Sequence, residues 1–139
     1  MATNKVEVKW TDKMAFDVEA NGHHFIIDAE PHVGGLDRGP RPKILTLASL
    51  GGCTGMDVIS ILGKMRVDVE DFNVTVEGDL TEEHPKYYHT IRIIYTFKGK
   101  DLPMDKLEKA VNLSQDRYCG VTAMLAKAAK IIHEIVVVE

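Results

Sequence analysis

The chain contains two cysteines in different settings. Cys53 lies in Leu50-Gly51-Gly52-Cys53-Thr54-Gly55, where small neighbours leave its sulfur approachable. Cys119 lies in Tyr118-Cys119-Gly120, where one predicted helix ends and the next begins, and free N–H groups at a helix start lower the pKa of a thiol. A thiolate that attacks a peroxide O–O bond becomes a sulfenic acid, and a second thiol condenses with it to a disulfide. Two cysteines suffice for that chemistry.

A second interpretation is that both cysteines are packed as small hydrophobic side chains, since free cysteine is among the most buried residue types. The cysteines lie 66 residues apart, so they form no local motif. A disulfide between them requires a fold that brings their Cα atoms within about 7 Å. The elements that carry them therefore decide between the two interpretations.

Residues 5–30 predict three antiparallel strands. Apolar residues alternate with polar ones, and the runs are separated by Thr11-Asp12-Lys13 and by Asn21-Gly22, a pair typical of hairpin turns. Residues 31–42 contain three prolines and three glycines, which predicts a loop long enough to fold over a site.

A helix is predicted from Pro42 through Leu62, and it carries Cys53. Its apolar residues surround most of the helix, a pattern typical of a buried helix. Gly51, Gly52 and Gly55 each cost about 1 kcal/mol relative to alanine in a helix. We therefore expect another backbone to approach this helix closely.

The rest of the chain predicts strands at 67–80 and 87–98, then a helix from Pro103 to Val111. Its inward residues are Leu107, Ala110, Val111 and Ser114. A short helix is predicted from about Gly120 to Lys130, and the β-branched run from Ile131 to Val138 predicts a final strand. The length of 139 residues indicates a single domain, residues 1–139.

Composition excludes several functional classes. The net charge of −4 and the lack of a basic stripe argue against nucleic-acid binding. The N-terminus lacks the pattern of a signal peptide, and charges interrupt the apolar stretches, so we expect a cytoplasmic protein without a membrane partner. The six histidines lack zinc-site spacing, which predicts no metal site.

The segments around both cysteines resemble a known family. Pro42-Lys43-Ile44-Leu45, followed after six residues by Gly52-Cys53-Thr54-Gly55-Met56-Asp57-Val58, resembles the Pro-x-x-Leu-(x)6-Gly-Cys-x-x-Met-Asp-Val core of the OsmC/Ohr family. Tyr118-Cys119-Gly120-Val121 is similar to its second-cysteine motif. Within the family the chain looks closest to the YhfA-like branch.

This resemblance implies an α+β fold with two central helices wrapped by antiparallel sheets, in an intertwined homodimer with active sites at the subunit interface. It also implies that Cys53 is the peroxidatic cysteine of a peroxidase that reduces organic hydroperoxides in oxidative-stress defence. Cys119 is then the resolving cysteine, and an external dithiol reductant reopens the disulfide. The family implies no metal or organic cofactor.

The chain departs from the family pattern near Cys53. In the peroxidases a glutamate follows the proline and pairs with an arginine that holds the thiolate, but here Lys43 occupies that position. The arginine would fall near Lys13. Arg38 or Arg41 from the loop is therefore the candidate cation that stabilises the thiolate.

Asp57 and Met56 are further candidate binding residues, together with Lys43. Asp57 follows Cys53 by one helical turn, and a carboxylate there raises a thiol pKa unless a cation neutralises it. An alternative function is therefore a non-catalytic protein that binds a small apolar ligand or senses redox state. In that alternative the protein lacks efficient peroxidase activity.

Overall fold

The structure is a computed structural model that describes residues 2–139. The chain forms two compact units, the first up to Thr46 and the second from Leu47 to Glu139. The elements are β1 (Glu7–Asp12), β2 (Ala15–Ala20), β3 (His23–Ile27), a 3-10 turn (Pro31–Val33), α1 (Leu45–Lys64), β4 (Asp71–Leu80), β5 (Tyr88–Lys98), α2 (Met104–Leu113), a π-helical turn (Ser114–Tyr118), α3 (Gly120–Leu125) and β6 (Lys130–Val138). The α+β class is confirmed, and a single domain over residues 1–139 stays a prediction.

The first unit contains one antiparallel sheet in the order β1-β2-β3, which confirms the three predicted strands. Both predicted turns are present. Lys13 adopts φ 48° in the first, and Asn21 and Gly22 adopt φ 52° and 79° in the second. Residues 31–42 form a loop with one short 3-10 turn, as the prolines and glycines predicted.

The second unit contains a sheet in the order β4-β5-β6 and most of the apolar core. β4 and β5 are antiparallel, as is typical of neighbouring strands with a short connection. β5 and β6 are parallel, so the prediction of purely antiparallel sheets is wrong for this pair. The physical reason is the long helical connection through α2 and α3, because parallel neighbours require a crossover of this kind.

α1 is buried along one face. Its buried residues are Leu47, Leu50, Thr54, Val58 and Leu62. Met56 is 76% exposed and Ile59 is 46% exposed. Within a single chain, the prediction of a helix buried all round is therefore wrong, because the second unit covers only one side of it.

The glycines of α1 face side chains of β4, where we had expected a backbone. A Cβ on Gly51 would lie 3.1 Å from Val76 Cγ2, and one on Gly55 would lie 3.4 Å from Val74 Cγ2. A Cβ on Gly52 would meet nothing within 4 Å. Two of the three glycines thus permit close packing of helix on sheet, while Gly52 leaves space beside Cys53.

By length and composition alone, α1 is apolar enough to cross a membrane, a property that it shares with core helices of globular proteins. Two charged residues, Asp57 and Lys64, interrupt the apolar sequence from Leu45 to Lys64. The buried residues of α1 belong to the core of the second unit.

The C-terminal elements follow the predicted order. α2 buries Leu107, Ala110 and Val111, which confirms its predicted inward face, and Ser114 is also buried. α3 ends at Leu125, five residues earlier than predicted, since β6 already begins at Lys130. The π-helical turn between α2 and Cys119 was not predicted.

Candidate functional site

The second unit brings both cysteines and one carboxylate together. Cys53 and Asp57 project from the same side of α1, one turn apart, and Cys119 lies immediately before α3. Both thiols are free. The two Sγ atoms and a carboxylate oxygen of Asp57 all lie within 4.8 Å of one another. Residues that are 66 positions apart in sequence thus form one compact cluster, which we call the dithiol cluster.

Cys119 is the N-cap residue of α3. Its Sγ accepts a hydrogen bond from the Thr122 N–H at 3.3 Å, and its own N–H donates to the Ser114 carbonyl at 2.8 Å. The second bond ties Cys119 to the π-helical turn, so that turn places the sulfur. Cys119 is only 3% exposed, whereas Cys53 is partly exposed.

Burial raises the pKa of the Cys119 thiol above its ordinary value, and the neighbouring Cys53 adds to the shift. The hydroxyl and the N–H of Thr122 act in the opposite direction but are outweighed. The prediction that the helix start lowers this pKa is therefore wrong, because desolvation of the thiolate exceeds the help from the helix N-terminus. Cys119 is accordingly a sheltered thiol that stays protonated near neutral pH.

Asp57 is held by a chain of buried polar groups. The Ser114 hydroxyl donates to its carboxylate at 2.9 Å, and Ser114 Oγ lies 2.7 Å from Thr54 Oγ1. Thr54 Oγ1 lies 2.6 Å from the Tyr95 hydroxyl, which also accepts a bond from the Gln115 side chain at 2.7 Å. We call these four residues beside Asp57 the hydroxyl network. It joins α1, β5 and the π-helical turn behind the dithiol cluster.

Burial raises the pKa of Tyr95, although the bonds from Thr54 and Gln115 oppose that shift. Tyr95 therefore stays protonated. Sequence reasoning missed Thr54, Tyr95 and Gln115. For Thr54 a signal was available, since it falls four residues after Leu50 and four before Val58, on the buried face of α1. A polar residue there needs a buried partner.

The two candidate cations lie in the first unit, where both are paired with carboxylates. Arg38 donates to buried Asp28 at 3.0 Å and to Asp12 at 2.7 Å. Arg41 lies 2.7 Å from Asp37. That either arginine stabilises the thiolate of Cys53 stays a prediction, as do the binding roles of Lys43, Asp57 and Met56. Lys43 is exposed just before α1.

Asp28 organises the loop of the first unit. Burial raises the pKa of this carboxyl, but hydrogen bonds outweigh it and bring the pKa to about 2. They come from the Arg38 side chain and from the N–H groups of Ala29, Arg38 and Leu36. Arg38 is thus a structural cation of its own loop.

The first unit also contains an apolar cavity of about 540 Å³. Its lining includes the apolar residues Met14, Phe16, Ile27 and Val33 and the charged residues Asp28, Glu30 and Arg41. A cavity of this size and character falls within the range that holds small organic ligands.

The family model described as OsmC-like protein matches residues 35–134. The chain is 36% identical to protein YhfA of Escherichia coli K12 over 135 residues, which cover 96% of this chain and 98% of YhfA.

Solved structures are similar along nearly the full length of the chain. A hypothetical protein from Aquifex aeolicus VF5 gives a TM-score of 0.83 at 33% identity, with complete coverage of both chains. An organic hydroperoxide resistance protein OsmC from Legionella pneumophila gives a TM-score of 0.72 at 14% identity, with 98% of each chain covered. This second likeness is one of fold.

Proposed function

Because the chain belongs to the OsmC-like family, we propose that it is a thiol peroxidase that reduces organic hydroperoxides through Cys53 and Cys119. Family membership confirms the resemblance seen around the two cysteine motifs. The observation that carries the proposal is the dithiol cluster, in which one partly exposed and one buried free thiol lie within 4.8 Å. The name of the Legionella neighbour, an organic hydroperoxide resistance protein, supports the choice of substrate class.

In the first step Cys53 is the nucleophile, since its sulfur is the more accessible of the two. Its thiol proton passes to the Asp57 carboxylate, and the thiolate attacks the terminal oxygen of the hydroperoxide. The O–O bond breaks, Cys53 becomes a sulfenic acid, and the leaving alkoxide takes the proton from Asp57 to form an alcohol. Ser114, which donates to the same carboxylate, keeps Asp57 in place for both transfers.

In the second step the Cys119 sulfur attacks the sulfenic sulfur, a disulfide forms and water leaves. The two sulfurs have to approach from within 4.8 Å to a bond of about 2.05 Å, and we assign this movement to rotation of the Cys53 side chain, which has open space beside it at Gly52. An external dithiol then reduces the disulfide by thiol exchange and restores both thiols.

The protein is proposed to act as a cytoplasmic homodimer. Support comes from apolar side chains that a single chain leaves in solvent, including Trp10 at 60% and Met56 at 76% exposure. A second copy of the chain is the proposed cover for these side chains, since large apolar side chains that a single chain leaves exposed in this number are typical of interfaces.

Steady-state turnover of cumene hydroperoxide with dithiothreitol tests the peroxidase proposal. We expect Cys53→Ser to abolish turnover and Cys119→Ser to accumulate a sulfenic acid that dimedone traps. Retention of full turnover by Cys53→Ser would overturn the proposal.

A non-catalytic binding protein is the second candidate, and the apolar cavity of the first unit favours it. It predicts no hydroperoxide consumption by the wild type. It also predicts an apolar molecule that copurifies with the protein, that native mass spectrometry detects, and that Phe16→Asp within the cavity lining displaces.

A further inference from the structure

The dithiol cluster also has the composition of a metal site. Two thiols and one carboxylate place three donor atoms within 4.8 Å of one another. In a tetrahedral zinc site the metal–sulfur distance is about 2.3 Å and the metal–oxygen distance about 2.0–2.2 Å, so neighbouring donor atoms lie roughly 3.5–3.8 Å apart. Small side-chain rotations therefore bring the cluster to zinc geometry. The prediction of no metal site came from the spacing of the histidines, and these three donors include no histidine.

Neighbouring groups hold two of the three donors in the way that metal ligands are held. The Ser114 hydroxyl donates to Asp57 at 2.9 Å, and the Thr122 N–H donates to Cys119 Sγ at 3.3 Å. Hydrogen bonds of this kind orient ligands and tune the metal. Ser114 is itself fully buried and bonded to Thr54, so the support is rigid.

Thr122 provides a second, independent observation. Its Oγ1 is buried and has no hydrogen-bond partner among residues 2–139, although the residue is only 6% exposed. A buried hydroxyl without a partner is costly. This hydroxyl belongs to the residue whose N–H donates to the Cys119 sulfur at 3.3 Å. It is therefore placed to donate to a sulfur that carries negative charge, as a metal-bound thiolate does.

The charge of the cluster also favours a bound cation. With both thiols ionised, the donors carry three negative charges, and no ion pair to Asp57 is present within residues 47–139. A divalent cation would supply the missing positive charge. Thiolate donors select zinc over magnesium or calcium, which prefer oxygen donors.

We propose that the reduced protein binds one Zn²⁺ per chain through Cys53, Cys119 and Asp57, with a water molecule as the fourth ligand. Binding releases the two thiol protons. Cys53 is partly exposed and gives the cation its access route. The inference does not rest on peroxidase turnover, since it requires only the geometry of the reduced cluster.

Metal binding and disulfide formation use the same two sulfurs and exclude each other. An organic hydroperoxide that oxidises the zinc-bound pair takes two electrons from the two thiolates and two protons from solvent. The products are the disulfide, one alcohol, one water and free Zn²⁺. Bound zinc is thus expected to slow oxidation of the pair, and oxidation to expel the metal.

Titration of the fully reduced, chelator-treated full-length protein with Co²⁺ under anaerobic conditions tests the proposal. We expect one equivalent to give the visible bands of tetrahedral cobalt and a near-ultraviolet thiolate charge-transfer band. Added Zn²⁺ should displace both signals stoichiometrically. The disulfide form, made with cumene hydroperoxide or diamide, should give neither.

Variants assign the ligands. Cys53→Ala should remove the charge-transfer band, and Asp57→Asn should weaken Zn²⁺ binding at least tenfold in competition with a chromophoric chelator. Ser114→Ala, which acts through Asp57, should weaken it by about 10–100-fold. Asp68→Asn, at an exposed position, is the matched control and should bind as the wild type does.

Circular dichroism of each metal-free variant checks that the variant is folded before its metal affinity is compared with that of the wild type. If Asp57→Asn does not fold, Cys53→Ala alone tests the zinc site. A wild-type protein without a thiolate band, or unchanged affinity in Cys53→Ala, overturns the zinc site. Because turnover is measured separately on metal-free protein, either result leaves the peroxidase proposal standing.

Discussion

The two units of the chain bury their apolar side chains to different extents. In the second unit Tyr95, Phe97 and Leu107 are completely buried. Among residues 2–46, by contrast, Ala15 and Val18 are the buried apolar side chains, while Trp10 and Phe25 are 60% and 41% exposed. The second unit therefore has its own core. The first has an apolar sheet face that a further surface must cover to gain comparable stability.

The buried polar groups of the two units differ as well. The second unit buries a neutral hydroxyl network around Thr54, in which short hydrogen bonds satisfy each member. The first unit buries a charged group, Asp28, and neutralises it with Arg38. The hydroxyl and amide groups of that network do not ionise in acid, whereas a buried carboxylate such as Asp28 responds to acid. The comparison thus predicts that the units differ in both mutational and acid sensitivity.

The largest expected effect is on the free energy of unfolding, and it differs between two phenylalanines, one in each unit. Phe97→Ala removes a buried ring that stacks on Phe72 at 4.7 Å, and it should lower the free energy of unfolding by about 3–5 kcal/mol. Phe25→Ala, its matched control in the first unit, should change it by less than about 1 kcal/mol in a single chain. Urea unfolding followed by far-ultraviolet circular dichroism measures both.

Protein concentration sharpens this test. If a second copy covers the first unit, the effect of Phe25→Ala should grow at high concentration, together with a shift toward monomer in sedimentation velocity. An equal loss for both variants at concentrations where the chain is monomeric would contradict the contrast between the units.

A smaller effect is expected in the hydroxyl network. Thr54→Val keeps the side-chain shape but removes the hydroxyl that bonds to both Tyr95 and Ser114, at a cost of about 1–3 kcal/mol. Thr75→Val, on the exposed side of β4, should stay within about 0.5 kcal/mol of the wild type. Similar unfolding midpoints for the two variants would show that the network adds nothing to the second unit.

The sequence contained enough information for the local elements and for the motifs. Alternation and turn residues predicted the strands of the first unit, and the inward positions of α2 were found from helical spacing. These features depend on neighbours within a few residues. The resemblance around Cys53 and Cys119 identified the family for the same reason, since each motif is contiguous.

What the sequence could not predict depends on distant contacts. The parallel pairing of β5 with β6 follows from the path of the connection, and the raised pKa of Cys119 follows from burial by other elements. The pairing of Arg38 with Asp28 was missed because the two residues lie ten positions apart in an irregular loop. No periodicity marks such a contact.

The smallest expected effect appears only in acid and belongs to the first unit. The folded-state pKa of Asp28, about 2, lies below the ordinary value of 3.8. Its ionised form therefore stabilises the folded loop fully above pH of about 4, and this contribution is lost as the pH falls toward 2. Trp10, the single tryptophan, lies in β1 and reports on this unit by fluorescence.

Asp28→Asn should weaken the first unit at neutral pH and remove its loss of stability between about pH 4 and 2. The asparagine cannot ionise and cannot accept all the N–H groups that the carboxylate accepts. Asp37→Asn is the control, because Asp37 is exposed and asparagine tolerates its φ of 54°. If the wild type and Asp28→Asn lose the Trp10 signal with the same pH dependence, another group controls acid unfolding. The contrast between the buried carboxylate of the first unit and the hydroxyl network of the second would then not explain how the two units differ.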